Sequence, residues 1–513
     1  MDGRAATLQP CSAPARADAL AAIDLGSNSF RLEMASLQGG LYRRIDSLKE
    51  TVRLGAGLDD RGMLTEDAMQ RGFDCLARFA QRLDGLPAER VRAVATQTLR
   101  EARNRDAFLR RAGDALGRPI EVLSGREEAR LIYAGVARLQ PSRVPRLVID
   151  IGGRSTELIL GKGLRPLRAE SFGIGCVNLS MQYFGDGRLT AAAFRAAQVA
   201  AAAEFEEALE AFAPEHWREA LGASGSVGAI SQILAAHGIT DGRVTPAGLR
   251  WCIERCIEAR RIERLELAGL KADRAPVIAG GLAILYSLFA HFGIAGMQPA
   301  RGALRQGVLF ELHDRLAEDS VRHRDLRDAS VRELQRRFEV DLPQAARVRR
   351  LALELHAAWR PRAPAELRRE LGWAATLHEL GTMVSHHDHH RHSAYLVGHA
   401  DIAGFSQSQQ RRLAALVLGQ RGGLGKLGEA VLDDAFAVQL LCLRLAVLLC
   451  HARRAPRRGM LTARPQGERC LLEFASTWSD RHPRTVFLLR QEVAAWEDGA
   501  GALRLALHRA PPA

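Results

Sequence analysis

The chain has 513 residues, 47% of them hydrophobic and 26% charged, with a formal net charge of +13. That composition is ordinary for a soluble globular protein, and the length predicts about three or four domains. No apolar run reaches membrane-spanning length, so no integral membrane segment is expected. The opening MDGRAATLQPCSAPARADAL lacks a signal-peptide core, and the eight cysteines are scattered without a paired CxxC set. A disulfide framework and a cysteine-built zinc site are therefore excluded, and the cytoplasm is the expected location, with peripheral membrane association left open. The basic surplus, mostly arginine, favours polyanionic partners without choosing among nucleic acid, anionic lipid and polyphosphate.

Residues 1–19 read as a disordered lead-in, and 20–36 and 41–54 as strands of a meander. Apolar residues at helical spacing predict a helix over 65–83, with Thr65 as its N-cap. A strand at 91–96, a helix at 104–116, a strand at 120–123 and a helix at 126–139 complete an α/β half. A second meander spans 146–175, and an Ala-rich helix follows at 190–212. Next come a strand at 219–226 entering a small-residue turn and helices at 227–237 and 246–260, the latter opened by Thr245-Pro246. Residues 275–289 read as strand, Gly280-Gly281 turn and helix, and 302–316 as a helix returning to the first half. Arg/Leu/Ala-rich helices are expected to 452, a basic linker over 453–467, and a small β-rich piece from RCLLEFAST, TVFLLR and ALRLALHR.

One phrase occurs twice. AAIDLGSNS (21–29) and LVIDIGGRSTE (147–157) each run an apolar strand into an aspartate and a glycine-bearing turn, aligning Asp24 with Asp150, Gly26 with Gly152 and Ser29 with Ser155. An aspartate at a strand end can hold a hydrated divalent cation. Glycine lets the following backbone N–H groups approach phosphate oxygens. Gly26, Ser27, Asn28 and Ser29 are candidate phosphate donors from the first half, and Gly152, Gly153, Arg154, Ser155 and Thr156 from the second. Asp24, Asp150 and Glu157 are candidates for Mg²⁺. Either aspartate alone would serve equally well as a turn cap; the repetition favours function. Glu121 stands in an otherwise apolar strand with Ile120, Val122 and Leu123. It faces either a cleft, where it would take a proton from an attacking water, or solvent on an edge strand.

AAIDLGSNSF, TQTLREARN, PIEVLSGREEARLIY, LVIDIGGRSTEL, GASGS and GALRQGVLFE follow in this order over roughly residues 20–315. Together they resemble the exopolyphosphatase/guanosine pentaphosphate phosphohydrolase family of the sugar kinase/Hsp70/actin superfamily. LGWAATLHELG and HRHSAYLV extend the resemblance weakly into the helical domain of longer members. The resemblance implies an α/β fold: ribonuclease H-like domains at 20–135 and 136–317, an all-α HD-like domain at 318–452, and a linker with a small C-terminal β-rich domain at 453–513. It implies Glu121 as catalytic base, Asp24, Asp150 and Glu157 at the metal, and Gly152, Gly153 and Ser155 in the phosphate cradle. Arg100 would contact phosphate, and Ser226 and the Gly280-Gly281 turn would meet nucleotide or distal phosphate. Two departures stand out: Arg154 where the family carries a small residue, expected to point out of the pocket, and Ser226 where a threonine is usual. In the histidine-rich stretch 378–399, the adjacent His-Asp pair of an HD metal site is replaced by His378-Glu379, which implies a degenerate, non-catalytic domain.

The expected activity is processive removal of terminal phosphate from inorganic polyphosphate by Mg²⁺-assisted (or Mn²⁺-assisted) in-line water attack. Guanosine pentaphosphate hydrolysis is the alternative within the family. A kinase of the same superfamily would need an acceptor site, and none is evident. A non-catalytic polyanion sensor is disfavoured by the intact Asp24, Glu121, Asp150 and Glu157. No specific nucleic-acid partner is expected, and a homodimer is.

Overall fold

A computed structural model of the chain describes residues 18–38, 41–316, 325–454, 461–466, 469–475, 481–497 and 503–510. These fall into two compact units that divide after residue 323. The expected lead-in and much of the expected linker lie outside the described residues.

In the first unit, residues 20–36 form two strands rather than one. β1 (Leu20–Leu25) and β2 (Phe30–Gln38) flank the Gly-Ser-Asn turn, and β3 (Leu41–Glu50) completes the antiparallel meander. After α1 (Glu66–Arg82), β4 (Val91–Ala95) pairs parallel with β1. The short α2 (Gln97–Glu101) and α3 (Arg105–Leu116) lead to β5 (Ile120–Val122) on the far edge, and α4 (Gly125–Leu139) follows. The sheet order is β3-β2-β1-β4-β5. Thr65 caps α1 by accepting from Ala68 N, and Ser124 caps α4 by accepting from Glu127 N. LAAIDL is almost wholly apolar because β1 is covered on both faces, whereas β3 lies at the sheet edge and is largely exposed.

The second lobe repeats this plan. β6 (Arg146–Ile151), β7 (Thr156–Lys162) and β8 (Arg165–Phe172) form an antiparallel meander; α5 (Cys176–Phe184) and α6 (Ala191–Phe205) follow. β9 (Glu219–Gly222) pairs parallel with β6, and α7 (Gly225–Ala236) and α8 (Pro246–Ala259) follow it. α9 (Ala275–His291), β10 (Met297–Pro299) and α10 (Leu304–Leu316) complete the unit. The order β10-β9-β6-β7-β8 matches the first sheet strand for strand.

Residues 275–291 correct the sequence expectation: they are one helix, with no strand and no Gly-Gly turn. The glycines serve packing. A Cβ on Gly280 would stand 2.6 Å from the Cys176 carbonyl oxygen of α5, so the two helices cross at backbone contact. The last helix returns to the first half as expected. α10 packs on α4, and one apolar cluster joins Leu20 and Ala22 of β1, Leu131 of α4, Val148 of β6, Leu221 of β9 and Val308 of α10. This cluster ties the bases of the two lobes.

The second unit is mainly helical, with α11 (Leu326–Arg337), α12 (Leu342–Trp359), α13 (Ala365–Leu377), α14 (His389–His399), α15 (Gln407–Gly419) and α16 (Asp434–Leu449). β11 (Leu461–Gln466), β12 (Arg469–Ala475) and β13 (Arg504–Ala510) form a three-stranded sheet beside α17 (Pro483–Glu497). TVFLLR, expected as a strand, lies inside α17; a short apolar run does not by itself separate strand from buried helix. Among the described residues no helix is long and apolar enough to cross a membrane.

The α4–α10 crossing is the most sensitive contact of the first unit. A Cβ on Gly307 would overlap the Leu131 carbonyl. Gly307→Ala should therefore lower stability by about 1–3 kcal/mol, despite the ~1 kcal/mol that alanine gains in helix propensity. Chemical denaturation checks this.

Candidate functional site

The repeated turns face each other across one partly open hollow between the lobes. Asp24 ends β1 and Asp150 ends β6, and both line it. Gly26, Ser27, Asn28 and Ser29 line it from the first turn, and Gly152, Gly153 and Ser155 from the second. The turns touch: a Cβ on Gly153 would stand 3.0 Å from the Ser27 Cβ. Only glycine permits that approach. The Asn28 amide nitrogen is buried without a hydrogen-bond partner, so a donor waits in the wall for an acceptor. Ser224 and Gly225 bring the N-terminus of α7 to the hollow, and Ala303, Leu304 and Arg305 bring that of α10. Both ends carry positive dipole, a setting for anions, with Val227 N capped by Ser224 and Ala303 N donating to Gln306.

Several expected residues lie elsewhere. Glu121 does not line the hollow: its carboxylate accepts from Arg92 at 3.1 Å, and Arg92 also pairs with Glu311 at 2.8 Å. Burial alone would raise the Glu121 pKa, but Arg92 and Arg315 outweigh it and the net shift is downward. A carboxylate held this way has its charge met within the fold, away from the hollow. Arg100 also lies outside the lining, donating to Glu128 at 2.6 Å, to the Leu123 carbonyl at 3.2 Å and to Gln97. Thr156 donates to the Ile174 carbonyl at 2.6 Å and Ser226 to the Ile151 carbonyl at 3.3 Å, so both hydroxyls are used within the fold. Glu157 is buried behind Asp150, its register partner, and accepts from Ser171 at 2.8 Å. Arg154 leaves the hollow, as expected, and pairs with Glu101 at 2.8 Å. Gly280 and Gly281 lie within α9 rather than in a turn.

Four charged residues that sequence reasoning missed line the hollow: Arg31, Glu128, Arg274 and Arg305. Arg31 sits directly opposite Asp24 in the β1–β2 register, the position that Glu157 holds opposite Asp150. A tight hairpin spacing from Asp24 would have pointed to it. Glu128 shares a helix face with Ile132, four residues on, and both reach the hollow. Its neighbour Glu127 turns away, to Arg130. Arg274 immediately precedes α9, and Arg305 stands in the first turn of α10.

Electrostatics mark the place. Burial raises the Asp24 pKa, against the pull of Arg305, 3.5 Å away, and of Arg31. Burial, with the charges of Glu128 and Asp24, raises Asp150 to about 7. Burial likewise raises Glu128 against Arg100, and raises Glu157 well above the carboxylate range with Glu128 and Asp150 adding to it. Four carboxylates crowd a volume whose cations only partly compensate them, an arrangement that favours uptake of positive charge.

The histidine-rich stretch is different. His378 is buried, its Nδ1 is 2.8 Å from the Ala375 carbonyl, and burial lowers its pKa to about 4. His387 is exposed. Among the described residues no three His, Cys, Asp or Glu are grouped to hold a metal ion by themselves.

Residues 34–316 match the model of the Ppx/GppA phosphatase family, and residues 326–493 match that of Ppx/GppA phosphatase, domain III. A guanosine-5'-triphosphate,3'-diphosphate pyrophosphatase of Photobacterium profundum is 37% identical over 484 residues, 93% of this chain and 96% of its own. Its counterpart in Vibrio vulnificus is 38% identical over 479 residues, 92% of this chain and 95% of its own. An exopolyphosphatase from Cytophaga hutchinsonii, 23% identical, is similar in fold with a TM-score of 0.53, over 58% of this chain and 98% of its own.

The raised Asp150 pKa has a sign that can be measured. An acid with a raised folded-state pKa favours folding fully below its unfolded value near 3.8, and that contribution is lost as pH rises through about 7. Without divalent cation, Asp150→Asn should therefore be more stable than wild type at pH 8, by about 2 kcal/mol, with the gap closing toward pH 4. Thermal melts across that range check it.

Proposed function

The chain belongs to the Ppx/GppA phosphatase family, and from that premise we propose that it hydrolyses the terminal phosphoanhydride bond of guanosine pentaphosphate, the activity carried in the names of its curated relatives. The facing of Glu128 and the two turns across one hollow carries the hydrolase part of this reading, and the names of the relatives carry the choice of nucleotide. Loop N–H groups, the Asn28 amide and the start of α7 grip the phosphoryl oxygens; the Asn28 amide is buried without a partner of its own. Arg31, Arg274 and Arg305 oppose the charge of the remaining phosphates. Glu128, held by Arg100 at 2.6 Å, accepts the proton of a water aimed in line at the terminal phosphorus.

The donor set fits a hydrated Mg²⁺ or Mn²⁺. Asp24 and Asp150 offer two carboxylates at the hollow, which matches an ion that keeps several waters and shares substrate phosphates rather than one needing an all-protein cage. Glu157 would act behind Asp150. Bound there, the ion supplies charge neutralisation to the phosphates.

Inorganic polyphosphate is the second reading, and the net charge of +13 favours it. Everything the hollow offers is phosphate chemistry common to both substrates. We take the second unit as a degenerate HD-like domain, with neutral, buried His378 next to Glu379. A homodimer remains our expectation.

Phosphate release per enzyme with Mg²⁺ present tests these readings. A kcat/KM at least about tenfold higher on guanosine pentaphosphate than on long polyphosphate supports the first, and the reverse ratio supports the second. No release from either would refute both. Glu128→Gln should lower kcat by about 10²–10⁴-fold, whereas Glu121→Gln should cost stability and leave most turnover.

A further inference from the structure

Arg154 and Asn28 occupy equivalent positions in the two phosphate turns, yet they behave oppositely. Asn28 faces the hollow with a free amide, whereas Arg154 leaves it and crosses to the first lobe. There its Nε donates to one oxygen of Glu101 at 2.9 Å, its Nη2 lies 2.8 Å from the same oxygen, and its Nη1 donates to the Gly55 carbonyl at 3.4 Å. The other Glu101 oxygen accepts from the Gln97 amide at 2.6 Å. The Gln97 oxygen accepts from Arg100 Nε at 2.8 Å and from its Nη2. Arg100 Nη1 then donates to Glu128 at 2.6 Å. An unbroken line therefore runs from the second lobe to the carboxylate facing the reacting centre, and its three middle members share the five-residue α2.

We infer that Arg154 is a positioning residue: by anchoring Glu101 across the cleft it completes a hydrogen-bonded relay through Gln97 and Arg100 that orients Glu128. This rests on the hydrolase reading above. The polarity of the relay is fixed at Gln97. Its oxygen must face Arg100, which only donates, and its NH₂ must face Glu101, which only accepts when ionised. Arg154 completes the hold on Glu101 by a charge-assisted, two-nitrogen contact. Without it, Glu101 keeps one donor from its own helix, Gln97 loses its outer anchor, and Arg100 holds Glu128 less firmly. The contact spans the two lobes. A small residue at this position, as at Gly26 or Gly153, has no side chain that reaches Glu101.

The test is steady-state kinetics of phosphate release on guanosine pentaphosphate and on long-chain polyphosphate with Mg²⁺, using Arg154→Ala, Arg154→Lys, Glu101→Gln and the double variant Arg154→Ala/Glu101→Gln. Arg154→Ala and Glu101→Gln should each lower kcat about tenfold with KM within about twofold, because orientation of the base is lost while the phosphate grip is untouched. The double variant should be no slower than the slower single, and Arg154→Lys should fall between wild type and Arg154→Ala. A KM increase with kcat unchanged would overturn the proposal and make Arg154 a strap or a phosphate ligand. Multiplicative losses in the double variant would overturn it too, as would unchanged kinetics in both singles. Glu101→Gln is isosteric and carries the test if Arg154→Ala does not fold. Failure of the hydrolase reading is separable: wild type would then release no phosphate from either substrate, whereas Glu128→Gln turning over like wild type would overturn the relay by removing its base.

Discussion

Three carboxylates lining one partly closed hollow, with a fourth buried beside Asp150, cannot all remain ionised without cations beside them. Asp24, Glu128, Asp150 and Glu157 are in that position, and burial raises the pKa of each. Arg100 and Arg305 partner two of them, and Arg31 lies opposite Asp24. The balance left over belongs to whatever binds. A polyphosphorylated substrate brings anions and needs more cation, and the aspartates at the two strand ends are where that cation would sit. Unmet charge in the hollow is the property on which binding depends.

The scaffold holds this charge in place by a second, self-satisfied network. Glu127 and Glu128 are consecutive on α4 and so point in directions about 100° apart. Glu127 joins Arg130, which also reaches Glu311 on α10, and Glu311 meets Arg92, the partner of Glu121. Here every carboxylate has a guanidinium, and the pKa values of Glu121 and Glu311 fall rather than rise. Two clusters of the same residue types therefore lie on the two sides of one helix. One is neutralised and rigid; the other is poised to bind.

The duplicated plan explains both the symmetry of the hollow and its asymmetry. Equal strand orders bring two equivalent turns face to face. Within them the repeat has diverged where chemistry requires it: Arg31 stands opposite Asp24, whereas Glu157 stands opposite Asp150. One turn thus carries a cation and the other an additional acid. The turn residues Asn28 and Arg154 differ in the same way, one facing the hollow and the other spanning the lobes.

The repeated Asp-x-Gly turns, the cap at Thr65 and most elements of the first unit were legible in sequence. They depend on local periodicity, glycine and capping chemistry, all of which act within a few residues. The two turns and strand-end aspartates that line the hollow were legible for the same reason. Glu121 shows the limit. A lone acid in an apolar strand must meet something polar, but only the tertiary structure decides that it meets Arg92 and not the hollow. Glu128 stood in a segment already recognised, yet its direction depends on how α4 packs against α10. Gly280-Gly281 read as a turn because glycine breaks local structure; the approach of α5, distant in sequence, made it a helix crossing instead. Arg274 and Arg305 reach the hollow only because helix starts from the second half converge there. Sequence alone determined which groups can grip phosphate. Long-range packing decided which carboxylate faces it and which arginines stand around it, because those choices depend on side-chain direction rather than on residue type.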